Sequence, residues 1–155
     1  MLDIGISKKD RKVIADSLSC LLSDSFIMYI KLQGCTWNMK GENAYNFQVL
    51  FTDQGSELLQ GLHKIAYRIR SLDYIVPSSF KEYMHYSGLN EIKQGTHETI
   101  DIIKMLILDH EFLVRRAADV YDIANTINDP VTRSLVQERM RIHSENAWKM
   151  RMHIE

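Results

Sequence analysis

The sequence predicts an all-α fold, four long helices in a bundle with a short helix crossing between the second and third. Three observations lead there. The 155 residues include only 7 Gly and 2 Pro, too few to turn the many corners of a sandwich or barrel. Apolar residues recur at three- and four-residue steps over long stretches of the chain. Hydrophobic residues make up 45% and charged residues 25%, close to globular averages and unlike a disordered composition. That length suits one domain spanning residues 1–155.

The first stretch opens near Ser7, where Ser7 and Asp10 form an S-x-x-D capping signal. Ile14, Leu18, Leu21, Leu22, Met28, Tyr29 and Leu32 then mark one face, and Gly34 offers a place to loosen or stop. The second stretch runs from about Asn43 to Leu72, with Phe47, Leu50, Phe51, Leu58, Leu62, Ile65, Ile69 and Leu72 in phase. Gly55 and Gly61 weaken it by about 1 kcal/mol each relative to Ala, which points to close helix packing there. Pro77 stops the chain. Ser79 and Glu82 form a second capping box, and Ser79 to Tyr86 reads as one small helix ending at Gly88. The third long stretch starts near Thr96 and sets Ile103, Ile107, His110, Val114, Ala117, Tyr121 and Ala124 at helical spacing. Asn128, Asp129 and Pro130 break it. Asp129 suits an N-cap and Pro130 the first helical position, so a fourth long helix runs from there to the end. Two antiparallel pairs joined by a crossover make a four-helix bundle of the ferritin-like kind.

Charge and cysteine usage narrow the class further. With 19 basic and 20 acidic side chains the net charge is −1, which excludes a globally basic nucleic-acid binder but not a local basic patch. Cys20 and Cys35, if on one helix, lie roughly 22 Å apart, whereas a disulfide needs Cα atoms within about 7 Å. The opening residues lack the apolar core of a secretory signal, and no run approaches the roughly 18 apolar residues of a membrane span. A reducing, cytoplasmic setting without a membrane is the expectation.

Chemistry-bearing residues are sparse. Glu-x-x-His, a pattern of iron-binding bundles, occurs at Glu82 and His85, on the short helix and without a second copy; surface polarity is the simpler reading. His63 and Tyr67, four apart, share a helix face and read either as a metal or redox site or, more economically, as a packed pair. His110 lies on an apolar stripe and reads as a core histidine with satisfied hydrogen bonds. His97, His143 and His153 have no metal-like spacing. Lys8, Lys9, Arg11 and Lys12 are candidate DNA contacts, set against the commoner reading of a solvated helix start. The Arg133, Arg139, Arg141, Lys149 and Arg151 series alternates with Glu138 and Glu145 and suggests exposed faces or subunit salt bridges. No phosphate-binding loop, serine elbow or zinc-type cysteine set is present in the sequence.

Several stretches, read in order, resemble the Dps family of small ferritin-like proteins. They are Leu21 to Phe26 with Tyr29; Trp37-Asn38-Met39-Lys40-Gly41; Ile65 to Leu72; Pro77 to Glu82; Leu108-Asp109-His110-Glu111 with Arg115; and Asp129, Thr132, Arg139, His143, Ala147, Trp148 and Arg151. The resemblance implies a cytoplasmic dodecameric shell that oxidises ferrous iron with peroxide and stores the ferric mineral, and in many members one that protects DNA. It also implies an iron site between subunits, with two His and an Asp from one chain and an Asp and a Glu from the other.

At those five positions this chain has Thr36, Gln48, Thr52, His63 and Tyr67. No carboxylate remains to offset the charge of a divalent ion, and only one strong ligand survives. Asp53 follows Thr52 but is rotated by about 100° on a helix. The expectation is therefore a Dps-like homo-oligomer without the family's ferroxidase centre and with no confident cofactor. Such a shell could hold iron made elsewhere, bind DNA, or co-assemble with an active relative. One rival is an active ferroxidase with an off-pattern site that includes His63 and Tyr67, while Glu57, or Asp119 and Asp122, are candidates for an off-pattern mineral or channel site. The other is a purely structural, DNA-compacting shell. Asp129 is a candidate for the acidic pore the family places near the start of its last helix, where Arg133 and Ser134 stand in for an expected acid.

Overall fold

Hydrogen-bonded caps define the helices of a computed structural model that describes residues 2–95 and 98–154. They are α1 (Lys8–Asn38), α2 (Ala44–Ser71), α3 (Phe80–Tyr86), α4 (Thr99–Ile127) and α5 (Pro130–Arg151), with no strand among the described residues. The sequence signals act as read at three starts. The Ser7 hydroxyl accepts from Asp10 N at 3.1 Å. Ser79 and Glu82 complete a reciprocal capping box. Asp129 accepts from the backbone of Val131 and Thr132 at 3.1 and 3.0 Å, with Pro130 leading the helix. Asn128, left-handed at φ 62°, closes α4.

Two boundaries differ. Helix α1 continues through Gly34 to Asn38 because Cys35 and the following Met39 still bury their side chains, which outweighs the roughly 1 kcal/mol preference for Ala over Gly. The expected start of the third long helix near Thr96, and His97, lie outside the described residues; α4 begins at Thr99 with Glu98 before it.

The directions of the helices follow from which charges meet. Lys31 pairs with Asp109 at 2.5 Å and Asp24 with Arg116 at 2.7 Å. Seven residues separate the partners on each helix, in opposite order, so α1 and α4 are antiparallel. Arg68 meets Asp129 at 2.8 Å and Glu57 meets Arg139 at 2.5 Å, so α2 and α5 are antiparallel too. Since α1 and α2 form one hairpin and α4 and α5 the other, α2 and α4 must run parallel. The end of α2 lies by the start of α1, where Arg11 Nη1 donates to Leu72 O at 3.0 Å and Tyr74 Oη to Lys8 O at 2.8 Å. The link from residue 72 to 98 therefore traverses the bundle, and α3 packs on α1 along that route.

The core is mostly aliphatic, with Ile14, Leu18, Leu21, Met28, Leu32, Leu58, Ile65, Ile69, Leu72 and Leu106 fully buried together with the aromatic Phe51. By length and composition α1 could cross a membrane, which counting uninterrupted apolar runs does not reveal; 61% of that apolar window is buried inside the bundle, as a core helix requires. Both cysteines lie on α1, about 22 Å apart by helical rise.

Asp24 fastens the crossover. Its fully buried carboxylate accepts from Ser87 Oγ at 2.9 Å, Gly88 N at 2.6 Å and Arg116 Nε at 2.7 Å. Asp24→Ala removes the acceptor of all three bonds and strands a part-buried guanidinium, so folding stability should fall by about 3–5 kcal/mol. Urea denaturation followed by circular dichroism measures it, and a loss below about 1 kcal/mol would contradict this role.

Candidate functional site

The five positions that carry iron ligands in the resembling family fall into two groups on one chain. Thr36 stands near the end of α1, while Gln48 and Thr52 stand one turn apart at the start of α2. His63 and Tyr67 lie further along α2, with Thr52 and His63 separated by about 16 Å of helical rise. No single chain brings the two groups together.

Local bonding already occupies the first group. Thr36 Oγ1 donates back to Leu32 O at 2.8 Å, and Gln48 Nε2 donates to Thr36 O at 2.9 Å. These bonds fasten the α1–α2 corner and leave hydroxyl and amide oxygens, weak ligands for a divalent ion. Thr52 and Asp53 are both exposed. In the second group the rings of His63 and Tyr67 stack with centroids 6.1 Å apart and planes 28° apart, both on the surface. Among the described residues, no three His, Cys, Asp or Glu side chains cluster so as to hold a metal ion.

The remaining candidates are engaged in structural contacts. Glu82 Oε2 accepts from Ser78 N, Ser79 N and Ser79 Oγ, and those bonds hold its pKa below the usual carboxylate value, led by the Ser79 hydroxyl. His85, the second residue of the Glu-x-x-His pattern, packs edge-on against Tyr86. Asp129 is 1% exposed. It caps α5, accepts a short bond from the Thr132 hydroxyl and pairs with Arg68. Burial alone would raise its pKa, but the bonds from Thr132 and Arg68 together lower it. Within one chain its carboxylate is thus committed to α5 and Arg68, and the nearby Arg133 reaches Asn125 at 2.8 Å. Glu57 is held by both terminal nitrogens of Arg139, at 2.5 and 2.8 Å. Asp119 and Asp122 are exposed on α4.

The basic group at the N-terminus is not a set of four free cations. Lys8 and Lys9 are exposed, but Arg11 is 6% exposed and bonded to Leu72 O. Lys12 Nζ contacts both oxygens of Asp16, at 2.5 and 2.6 Å. Arg11 is buried because it stands three and seven residues before Ile14 and Leu18, on the same inward stripe.

The sequence reading missed an interior polar network. His110 is a core histidine, as expected, but its partner is His143, with Nδ1 to Nδ1 at 3.0 Å; its Nε2 faces Gln54 Oε1 at 3.1 Å. Beside them Arg139 is buried against Glu57, and its guanidinium occupies the space above Gly61, where an added Cβ would lie 2.2 Å from Nη1. Hairpin counting is the signal that could have paired the histidines. Seventeen residues before the end of α4 and thirteen after the start of α5 bring them to the same level within about one turn.

This helix order, with its parallel α2 and α4 joined by a traversing crossover, defines a ferritin-like bundle. Residues 15–155 match the model of the ferritin-like domain, and the chain belongs to that family. Its fold is that of Dps proteins, as the sequence resemblance implies. DpsC from Streptomyces coelicolor superposes with a TM-score of 0.96 over 100% of this chain and 91% of that one, at 18% identity. A Dps protein from Vibrio cholerae O1, described as a member of a broad superfamily of ferritin-like diiron-carboxylate proteins, gives 0.94 over 100% and 97%, at 19% identity. An uncharacterized low temperature-induced protein of Nostoc sp. is 24% identical over 155 residues, 99% of this chain and 87% of that protein.

Gly61→Ala tests the interior network. It gains about 1 kcal/mol of helix propensity but drives a methyl group into the Arg139 guanidinium, at an overpacking cost of about 1–3 kcal/mol plus disturbance of a buried ion pair. A net loss of about 2 kcal/mol in urea denaturation is expected; a stabilised variant would show that the guanidinium moves aside freely.

Proposed function

We propose that this chain is a subunit of a cytoplasmic, Dps-like homo-oligomeric shell, a dodecamer, whose intersubunit ferroxidase centre is inactive. One observation carries the reading. The five ligand positions hold no carboxylate, and two of them, Thr36 and Gln48, have polar groups bonded to the backbone of the chain's own helices. Shell assembly would bring the two groups of positions from neighbouring subunits together, and the resulting set of Thr, Gln, Thr, His and Tyr suits iron poorly. Large aromatic side chains left exposed on one chain support assembly, among them Trp37 at 73%, Tyr45 at 75% and Trp148 at 57%, because Trp and Tyr are enriched at contact faces. The shell would then hold iron oxidised elsewhere, or join subunits of an active relative in a mixed cage.

The test adds ferrous iron and peroxide to the purified protein while light scattering reports its mass. A twelve-subunit particle with no oxidation above a protein-free control is expected. Restoring all five positions in one variant (Thr36→His, Gln48→His, Thr52→Asp, His63→Asp and Tyr67→Glu) should confer fast, saturable oxidation. Monomers at micromolar concentration would overturn the shell. Fast oxidation by the unaltered chain would overturn the inactive centre and favour an off-pattern site.

A second reading, DNA retention, draws on the exposed Lys8 and Lys9, which repeat on every subunit of a shell. Lys8→Gln with Lys9→Gln should then abolish DNA retention and its salt dependence, whereas Lys12→Gln should change little, since Lys12 is paired with Asp16. Gel-shift titrations at two salt concentrations distinguish the outcomes.

A further inference from the structure

Polar side chains from three helices meet at one level of the bundle interior. Gln54 comes from α2, His110 from α4 and His143 from α5. Both imidazoles are 1% exposed, and their Nδ1 atoms are 3.0 Å apart. At that distance the two nitrogens cannot both carry hydrogen; one must donate and the other must accept with its lone pair. The contact therefore holds one hydrogen, and since each neutral ring carries one, any added proton must leave N–H on both outer Nε2 atoms. His110 Nε2 faces Gln54 Oε1 at 3.1 Å, but the buried His143 Nε2 reaches no partner, so an N–H there would be left unpaired.

The charges around the pair do not welcome a cation. From α5, Arg139 is buried beside it, and the α2 carboxylate that could compensate, Glu57, is already bonded to both terminal nitrogens of that guanidinium. From α4, Asp109 is neutralised by Lys31 of α1 at 2.5 Å. No uncommitted carboxylate from these four helices faces the imidazoles among the described contacts.

We propose that the His110–His143 contact is an acid-sensitive latch between α4 and α5, closed while both imidazoles are neutral and forced open, with loss of the bundle's interior packing, when mild acid protonates them. The direction follows from proton linkage. Burial, then the Arg139 charge, pushes His110 down to about 3, and burial with the His110 and Arg139 charges pushes His143 well below its ordinary value. In the unfolded chain both take up protons near pH 6.5. The folded state is thus fully favoured above that pH and loses ground as the pH falls through and below it. Asp109 works in the opposite sense. Burial raises its pKa despite Lys31, so acid favours its folded form and cannot cause the loss.

Two imidazoles held neutral imply a roughly 600-fold fall in the folding constant between pH 7 and pH 5, and a single one roughly 25-fold. The experiment is urea denaturation of the full chain at both pH values and one protein concentration, comparing the unaltered protein with His143→Gln and with His110→Gln plus His143→Gln. The expected falls are about 600-fold, about 25-fold and under about 3-fold. A purely structural role would lower stability equally at both pH values and leave the ratio unchanged. If the variants do not fold at pH 7, nitrogen-15 resonances of the histidine rings in the unaltered protein decide the matter. Two imidazoles that stay neutral at pH 5.5 in the folded bundle support the latch. A fall below about 10-fold in the unaltered chain, variants that keep the full 600-fold fall, or interior imidazoles that titrate near 6.5 while folded would each overturn it.

Discussion

One carboxylate organises this bundle. Asp24 has no access to water, and a buried charge without partners is prohibitively unfavourable. Its partners come from α4 and from the crossover, so satisfying it sets the relative height of α1 and α4 and anchors the chain just after α3. Lys31 and Asp109 repeat the demand one heptad along the same pair of helices. The aliphatic core cannot make this choice by itself, since leucine and isoleucine layers tolerate repacking at nearly constant volume. Charge pairing selects one register from several that hydrophobic burial alone would accept.

The same requirement accounts for the weakness of the metal-site candidates. In this bundle Glu57, Asp24, Asp109 and Asp129 each meet a cation of the same chain, which leaves their oxygens committed. The interior level between α2, α4 and α5 sets two imidazoles beside a buried arginine whose charge opposes a divalent cation. Fold alone does not assign function.

Much of this was legible from the residues. Ser7, Ser79 and Asp129 announce their helices because a capping interaction spans only three residues, and Asn128 followed by Asp129 and Pro130 marks a break that any helix would respect. Gly34 misled because the cost of one helical glycine is smaller than the gain from burying Cys35 and Met39 just beyond it. The basic group Lys8 to Lys12 looked like one patch in linear order. The helical period divides it, sending Arg11 inward with Ile14 and Leu18 and leaving Lys12 outside beside Asp16. That division was present in the spacing, whereas the identity of Arg11's acceptor, Leu72 O, was not.

By itself the sequence determined the helices, most of their caps, the crossover and the chemistry that Thr36, Gln48, Thr52, His63 and Tyr67 can offer, because each depends on residues within a few turns of one another. Only the tertiary structure decided that Asp24 meets Arg116, that Arg139 fills the space above Gly61, and that His110 meets His143. Those partners are separated by 92, 78 and 33 residues. Their meeting depends on helix direction, on a register accurate to one turn, and on which face each helix turns inward. These quantities are settled jointly by packing and by the need to pair every buried charge, and no local stretch of chain contains them.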